Sequence, residues 1–135
     1  MNHILVPVDG SDPSYRAVEH AARIAHALGA KLTVLPVQQY IVGRKTVVEV
    51  WTEDEVEEIV TKAKAIADGI GNKAVTIAKS RARDVAHSII DYAEQNHVDL
   101  IVMGASGHGA IKSVLIGSIS SEVLRKSICP VTIVH

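Results

Sequence analysis

A chain of 135 residues, 47% of them apolar, can bury one core but is too short for two, so a single domain over 1–135 is expected. Fifteen acidic against fourteen basic residues leave a formal charge of −1, and the chain has no Phe; both facts argue against a nucleic-acid surface, which needs cationic excess or stacking aromatics. One cysteine, Cys129, no charged-then-apolar leader before Ile4 and no apolar run near the roughly 20 residues of a membrane span lead to the expectation of a cytoplasmic protein.

Ile4 to Val8 is a branched apolar run closed by Asp9-Gly10, the pattern of a central strand buried on both faces. Asp12 is expected to cap a helix with Pro13 at its first position, and Ala17, Val18, Ala21, Ala22, Ile24, Ala25 and Leu28 form its apolar stripe before Gly29 stops it. Lys31 to Val37 reads as a second strand. Gln38 to Trp51 holds Gly43, a basic pair and alternating valines, and reads as a long connection. Thr52 and Glu55 have the spacing of a capping box, opening a helix to about Asp68 that Gly69 and Gly71 end. Ala74 to Ala78 is expected as a strand, Asp84 to Asn96 as a helix, Val98 to Met103 as a strand, Ser118 to Ile128 as a helix and Pro130 to Val134 as the last strand. Five strands separated by helices in strict succession predict an α/β fold: an open, twisted, five-stranded parallel sheet with helices on both faces, Rossmann-like.

Such sheets take ligands beyond the carboxyl ends of their strands, where strand order reverses. The run Gly104-Ala-Ser-Gly-His-Gly-Ala-Ile-Lys-Ser-Val-Leu-Ile-Gly-Ser-Ile-Ser120 begins at such an end. Its spacing matches neither the P-loop nor the dinucleotide fingerprint. Gly104 and Gly107 permit positive φ and close approach of N–H groups to an anion. Gly117-Ser118 opens a helix whose first N–H groups lack intrahelical partners and whose dipole favours negative charge. Ser118 and Ser120 offer hydroxyls, and His108 and Lys112 offer cationic or hydrogen-bonding groups. On these grounds alone, a phosphate cradle and a supple connection between two elements both stand.

The chain resembles the universal stress protein family over essentially its whole length. The resemblance is carried by Ile4-Leu-Val-Pro-Val-Asp9-Gly-Ser11, the strand ending at Val37, Val98-Asp-Leu-Ile-Val-Met103-Gly104, the glycine run and Cys129-Pro130-Val131. The spacing G-x2-G-x9-G-S is similar to the ATP-binding signature of one branch of the family. The resemblance implies a fold like that of the adenine nucleotide alpha hydrolases and a bound ATP, ADP or AMP. It places Pro7, Val8 and Asp9 beside the adenosine, the Val37 backbone at the adenine edge, and Met103, Gly104, Gly107 and His108 along the ribose and phosphates. Gly117, Ser118, Ile119 and Ser120 match the helix start that holds the phosphates. Two departures stand out. Arg83-Asp84-Val85 replaces a Gly-x-Pro, and His108 stands where arginine is common, which ties phosphate affinity to pH.

Seven histidines raise the question of a metal site, but His20 and His26, six apart, turn to different sides of one helix, and scattered surface histidines are the plainer reading. Magnesium accompanying a nucleotide is the expected metal, held mainly by phosphates and water with Asp9 as its protein neighbour. Ser106 lies outside any nucleophile elbow, Cys129 reads as a packed small side chain, and the acidic run 53–58 as the solvated start of a helix. The last strand is expected to pair edge to edge in a homodimer. These readings lead to a cytoplasmic ATP-binding stress protein that acts as a nucleotide-dependent switch toward an unknown protein partner and has at most slow ATPase activity. The alternatives are a nucleotide-independent dimeric interaction module and a slow ATP hydrolase.

Overall fold

The computed structural model describes residues 1–105 and 117–135. In chain order the elements are β1 (His3–Val8), α1 (Asp12–Leu28), β2 (Lys31–Val42), β3 (Val47–Glu49), α2 (Glu53–Ile70), β4 (Val75–Ile77), β5 (Ser80–Ala82), α3 (Val85–Gln95), β6 (Leu100–Gly104), α4 (Ser118–Lys126) and β7 (Val131–Val134). The sheet runs β3-β2-β1-β6-β7, with β4 and β5 also paired to β2. Every pairing is parallel except β2 with β3. Strand order reverses between β1 and β6, which pair through Ile4 with Leu100 and Leu5 with Ile101.

Strands covered on both faces must be apolar at every position, and the core shows why. Ile4, Val6 and Val8 of β1 join Leu32, Val34, Leu100 and Val102 against α1 and α2. The opposite face carries Leu5, Leu35, Val37, Ile101 and Met103 against Ala86, Ile89 and Ile90 of α3 and Val123 of α4. Four alanines of α1, at 17, 21, 22 and 25, are buried, so this helix lies close to the sheet.

Local signals set the helix ends. Thr52 and Glu55 form the expected capping box, with Glu55 N–H donating to Thr52 Oγ1 at 3.1 Å and Thr52 N–H to Glu55 Oε1 at 3.2 Å. Gly71 closes α2 in the left-handed region at φ 109°, whereas Gly69 lies within the helix. The cap of α1 is Ser11 rather than Asp12: its Oγ accepts from Ser14 N–H at 3.2 Å, and Asp12 sits in the first turn, where negative charge suits the dipole.

The fold class is as expected, but the described residues form seven strands. β2 continues five residues beyond Val37 and folds back through a turn at 43–46 onto β3, pairing Tyr40 with Glu49, Ile41 with Val48 and Val42 with Val47. The segment 38–51 is therefore largely a β-hairpin, not a plain connection. Its alternating valines are a strand signal that Gly43 and the basic pair obscured. The third expected strand, Ala74 to Ala78, is β4, and β5 follows it outside those bounds, both short and both on β2.

His3 is another difference from the surface reading of the histidines. It is buried, with Nδ1 3.1 Å from the Asn96 carbonyl and Nε2 2.7 Å from Thr33 Oγ1. The carbonyl can only accept, so Nδ1 donates to it, and Nε2 pairs with the Thr33 hydroxyl. Beside it, Asp99 Oδ2 accepts from the backbone N–H of Asn2 at 2.7 Å and of His3 at 2.9 Å. Those two bonds hold the Asp99 carboxyl below its ordinary value. A carboxyl whose folded pKa is depressed stabilises the fold above its unfolded pKa and loses that contribution as pH falls through the folded value. Asp99→Asn is accordingly expected to lower the melting temperature at pH 7, with the gap to the parent chain closing below the ordinary aspartate range. Thermal melts from pH 7 to pH 2 check this.

Candidate functional site

At the strand-order reversal, the carboxyl ends of β1 and β6 open a cleft of about 300 Å³. Pro7, Val8 and Asp9 come to it from β1 and the following turn, Met103 and Gly104 from β6, Val37 and Gln39 from β2, and Gly117, Ser118, Ile119 and Ser120 from the start of α4. Apolar side chains complete the lining, Val50 and Trp51 below the hairpin and Val85 and Ile89 of α3. The volume lies at the small end of the range for small-molecule sites. A shallower cleft of about 330 Å³ adjoins it, sharing Gln39, Val85, Ser118 and Ile119 and reaching Arg83, Asp84 and Glu122.

The turn after β1 is tightly bonded. Asp9 Oδ1 accepts from Ser11 N–H at 2.9 Å and Ser11 Oγ–H at 2.5 Å, and Ser14 Oγ–H donates to the Ser11 carbonyl at 2.9 Å. Gly10, between them, takes φ 84°, a conformation that side chains disfavour. Both bonds to Asp9 fall on one oxygen, so Oδ2 keeps its lone pairs among the described residues. The acidic groups of this corner act on Tyr15: burial first, then Glu58, Asp9 and Asp12, raise its phenol above the ordinary value.

Gly104 is a glycine for want of space. It lies in β6, and among the described residues the positive-φ glycines are Gly10, Gly29 and Gly71. A Cβ on Gly104 would stand 2.7 Å from the Pro13 carbonyl carbon and 2.8 Å from Ser14 N, both backbone atoms that cannot swing aside. Freedom of φ, the sequence-based reason for this glycine, is thus replaced by close packing of β6 on the first turn of α1.

Across the cleft, Gly117 caps α4 at φ −62° without a side-chain bond, and its N–H donates to the Ala105 carbonyl at 2.6 Å. The first intrahelical bond runs from Ser121 N–H to the Gly117 carbonyl at 2.9 Å. The N–H groups of Ser118, Ile119 and Ser120 precede it, and these are the donors α4 can offer an anion. The Ser120 hydroxyl was expected to serve a ligand. It is instead buried and donates to the Gly104 carbonyl at 2.8 Å, tying α4 to β6. Ser118 is exposed. Gly107, His108, Ser106 and Lys112 lie outside the described residues. Among the described residues no group of three or more His, Cys, Asp or Glu side chains is placed to hold a metal ion, and no helix is long and apolar enough to cross a membrane.

The structure thus gathers ten of the twelve residues expected at the site around one cleft. Reading the sequence alone missed Ser11, Ser14, Gln39, Val50, Trp51, Val85 and Ile89. Val50 and Trp51 lay in the segment read as a connection, and the alternation of Val48 and Val50 was the signal available.

An open, mainly parallel α/β sheet with its cleft at the switch point defines a ligand-binding class of doubly wound proteins. Within that class, the profile of the universal stress protein family matches residues 1–135, and the chain belongs to that family. It is 34% identical over 154 residues to the universal stress protein YxiE of Bacillus subtilis, an alignment covering 99% of each chain. Among solved structures it is similar to a universal stress protein in complex with cAMP, at 27% identity and TM-score 0.78, covering 99% of this chain and 97% of that one. It is also similar to the universal stress protein UspA of Lactobacillus plantarum, at 28% identity and TM-score 0.72, covering 99% and 97%.

Ser120→Ala removes the bond that ties α4 to β6 and leaves the Gly104 carbonyl without that donor. A loss of about 1–2 kcal/mol in unfolding free energy is expected, measured by urea denaturation.

Proposed function

We propose that this chain binds an adenine nucleotide in the cleft between β1, β6 and the start of α4, and works as a nucleotide-dependent regulatory switch in a stress response. The carrying observation is the mixed lining of the cleft. Val37, Val50, Trp51, Val85 and Ile89 supply apolar surface suited to a flat base, and the start of α4 adds the amides of Ser118, Ile119 and Ser120. The complex of a relative with cAMP supports the adenine assignment.

In this reading the base lies between Val37 and the Val50–Trp51 wall, Asp9 faces the ribose and the phosphates reach α4. Gly107 and His108 belong to the proposed phosphate segment by their place in the motif. ATP is the proposed ligand, with ADP and AMP as its lower-charge forms. Magnesium fits the donor set at Asp9 Oδ2 only as a partner to phosphates and water, because a single carboxylate oxygen does not hold the ion unaided. Bound there, magnesium would neutralise phosphate charge.

Asp9 is committed to Ser11, which suits positioning better than proton transfer. The chain is therefore proposed as a binder, with hydrolysis at most slow. A homodimer through the outer edge of β7, the last strand in the sheet order, and a place in the cytoplasm complete the proposal.

Trp51 is the sole tryptophan and lines the cleft, so its fluorescence should respond to occupancy. Titration with ATP and magnesium is expected to change Trp51 emission saturably, with one site per chain by calorimetry, and Gly117→Val should abolish both signals. Neither heat nor a fluorescence change at millimolar ATP, AMP and cAMP would overturn the proposal.

A further inference from the structure

The β2–β3 hairpin is tied down on the face that does not line the cleft. Gln39 pairs with Ala82 of β5 while its carbonyl accepts from Val50 N–H at 2.9 Å, so β5 and β3 run along opposite edges of β2. Register sorts the side chains. Tyr40 stands opposite Glu49 and Gln38 opposite Arg81, and alternation puts these four on one face of β2. Gln39 and Val50, opposite each other on the other face, line the cleft, and Trp51, next in the chain, lines it too.

Across the back face runs one ion pair. The Arg81 guanidinium crosses β2 to Glu49, with Nε 2.7 Å and Nη2 2.5 Å from Oε1, and its Cζ lies 4.1 Å from the centre of the Tyr40 ring over which it passes. The three groups make a brace in which the carboxylate meets the cation and the ring takes the flat guanidinium on its face. A lysine would supply the charge without that planar contact.

Little else holds the hairpin. Strand β3 is three residues long with every side chain exposed, and a two-stranded ribbon is by itself marginal in water. Among the described residues Arg81–Glu49 is its one ion pair. The remaining side-chain ties, from Gln38 Nε2 to the Trp51 carbonyl and from Gln39 Nε2 to the Arg83 carbonyl, are long neutral bonds of 3.3 Å each.

We infer that Arg81 is a positioning residue for the cleft: laid on Tyr40 and bonded to Glu49, it holds the hairpin down so that Val50 and Trp51 keep their place in the lining. The brace is independent of what fills the cleft, and its effect on a nucleotide rests on the reading proposed above. The side chains of Arg81 and Glu49 are 51% and 39% exposed, so the pair is weak enough to break and re-form. It therefore biases the hairpin toward the closed position without locking it. A ligand under the hairpin leaves through the open form, and weakening the brace lowers affinity mainly by faster dissociation.

Trp51 is the sole tryptophan, which lets the ligand-free protein report on the brace. Arg81→Ala should raise acrylamide quenching of Trp51 while the melting temperature stays near that of the parent chain, since an exposed pair adds little to global stability. Arg81→Lys should fall between the two. Glu49→Arg should expose Trp51 at least as much as Arg81→Ala, and Glu49→Arg combined with Arg81→Glu should restore its protection. With ATP and magnesium, Arg81→Ala should release the nucleotide about three- to tenfold faster in stopped flow. Quenching in Arg81→Ala equal to the parent's overturns the inference, and so does a double reversal no better protected than Glu49→Arg alone. The two readings fail separately: a parent chain that binds no nucleotide sinks the ligand assignment, whereas quenching of ligand-free Trp51 decides the brace.

Discussion

The contact on which the site depends is the approach of Gly104 to the first turn of α1. With no Cβ at 104, the end of β6 lies directly on the backbone of Pro13 and Ser14. The Ser120 hydroxyl then bonds the Gly104 carbonyl, and the Gly117 amide bonds the neighbouring Ala105 carbonyl. Two helix starts are thereby brought to one strand end. The start of α4, with the amides that have no intrahelical partner, lines the opening between β1 and β6 because this corner is closed so tightly.

The corner is also rigid on its other side. Asp9, Ser11 and Ser14 bond one another, so the carboxylate nearest the cleft is a fixed feature of the turn and not a mobile base. In the proposed reading, main-chain amides supply a preorganised cradle without the desolvation cost of a buried lysine or arginine. That economy suits a protein whose proposed task is to hold a nucleotide and present a surface. The hairpin adds the second half of such a task, since Val50 and Trp51 wall the cleft while Val47 and Val48, a few residues away, face outward.

Much of this was legible in the sequence because local and global signals agree. Strands buried on both faces must be uninterrupted apolar runs, and Ile4 to Val8 and Leu100 to Met103 are. The capping box at Thr52 and the left-handed Gly29 and Gly71 are set by near neighbours, so residue type alone locates them. Ser120 and Gly104 were singled out in the sequence, yet the contacts they make depend on partners sixteen and ninety residues away that spacing does not reveal. The hairpin was hidden for another reason. Its side chains are half exposed on both faces, so it lacks the inside–outside contrast by which a strand is usually read. His3 was likewise assigned to the surface because its partners, Thr33 and Asn96, come from distant elements.

Gly104 can serve packing or ligand approach, and the two roles separate in the ligand-free protein. Chemical denaturation of Gly104→Ala without nucleotide is the direct measurement. Close packing predicts that unfolding free energy falls by about 1–3 kcal/mol as the added methyl pries α1 from β6. Unchanged stability would contradict that account and assign the glycine to the ligand alone.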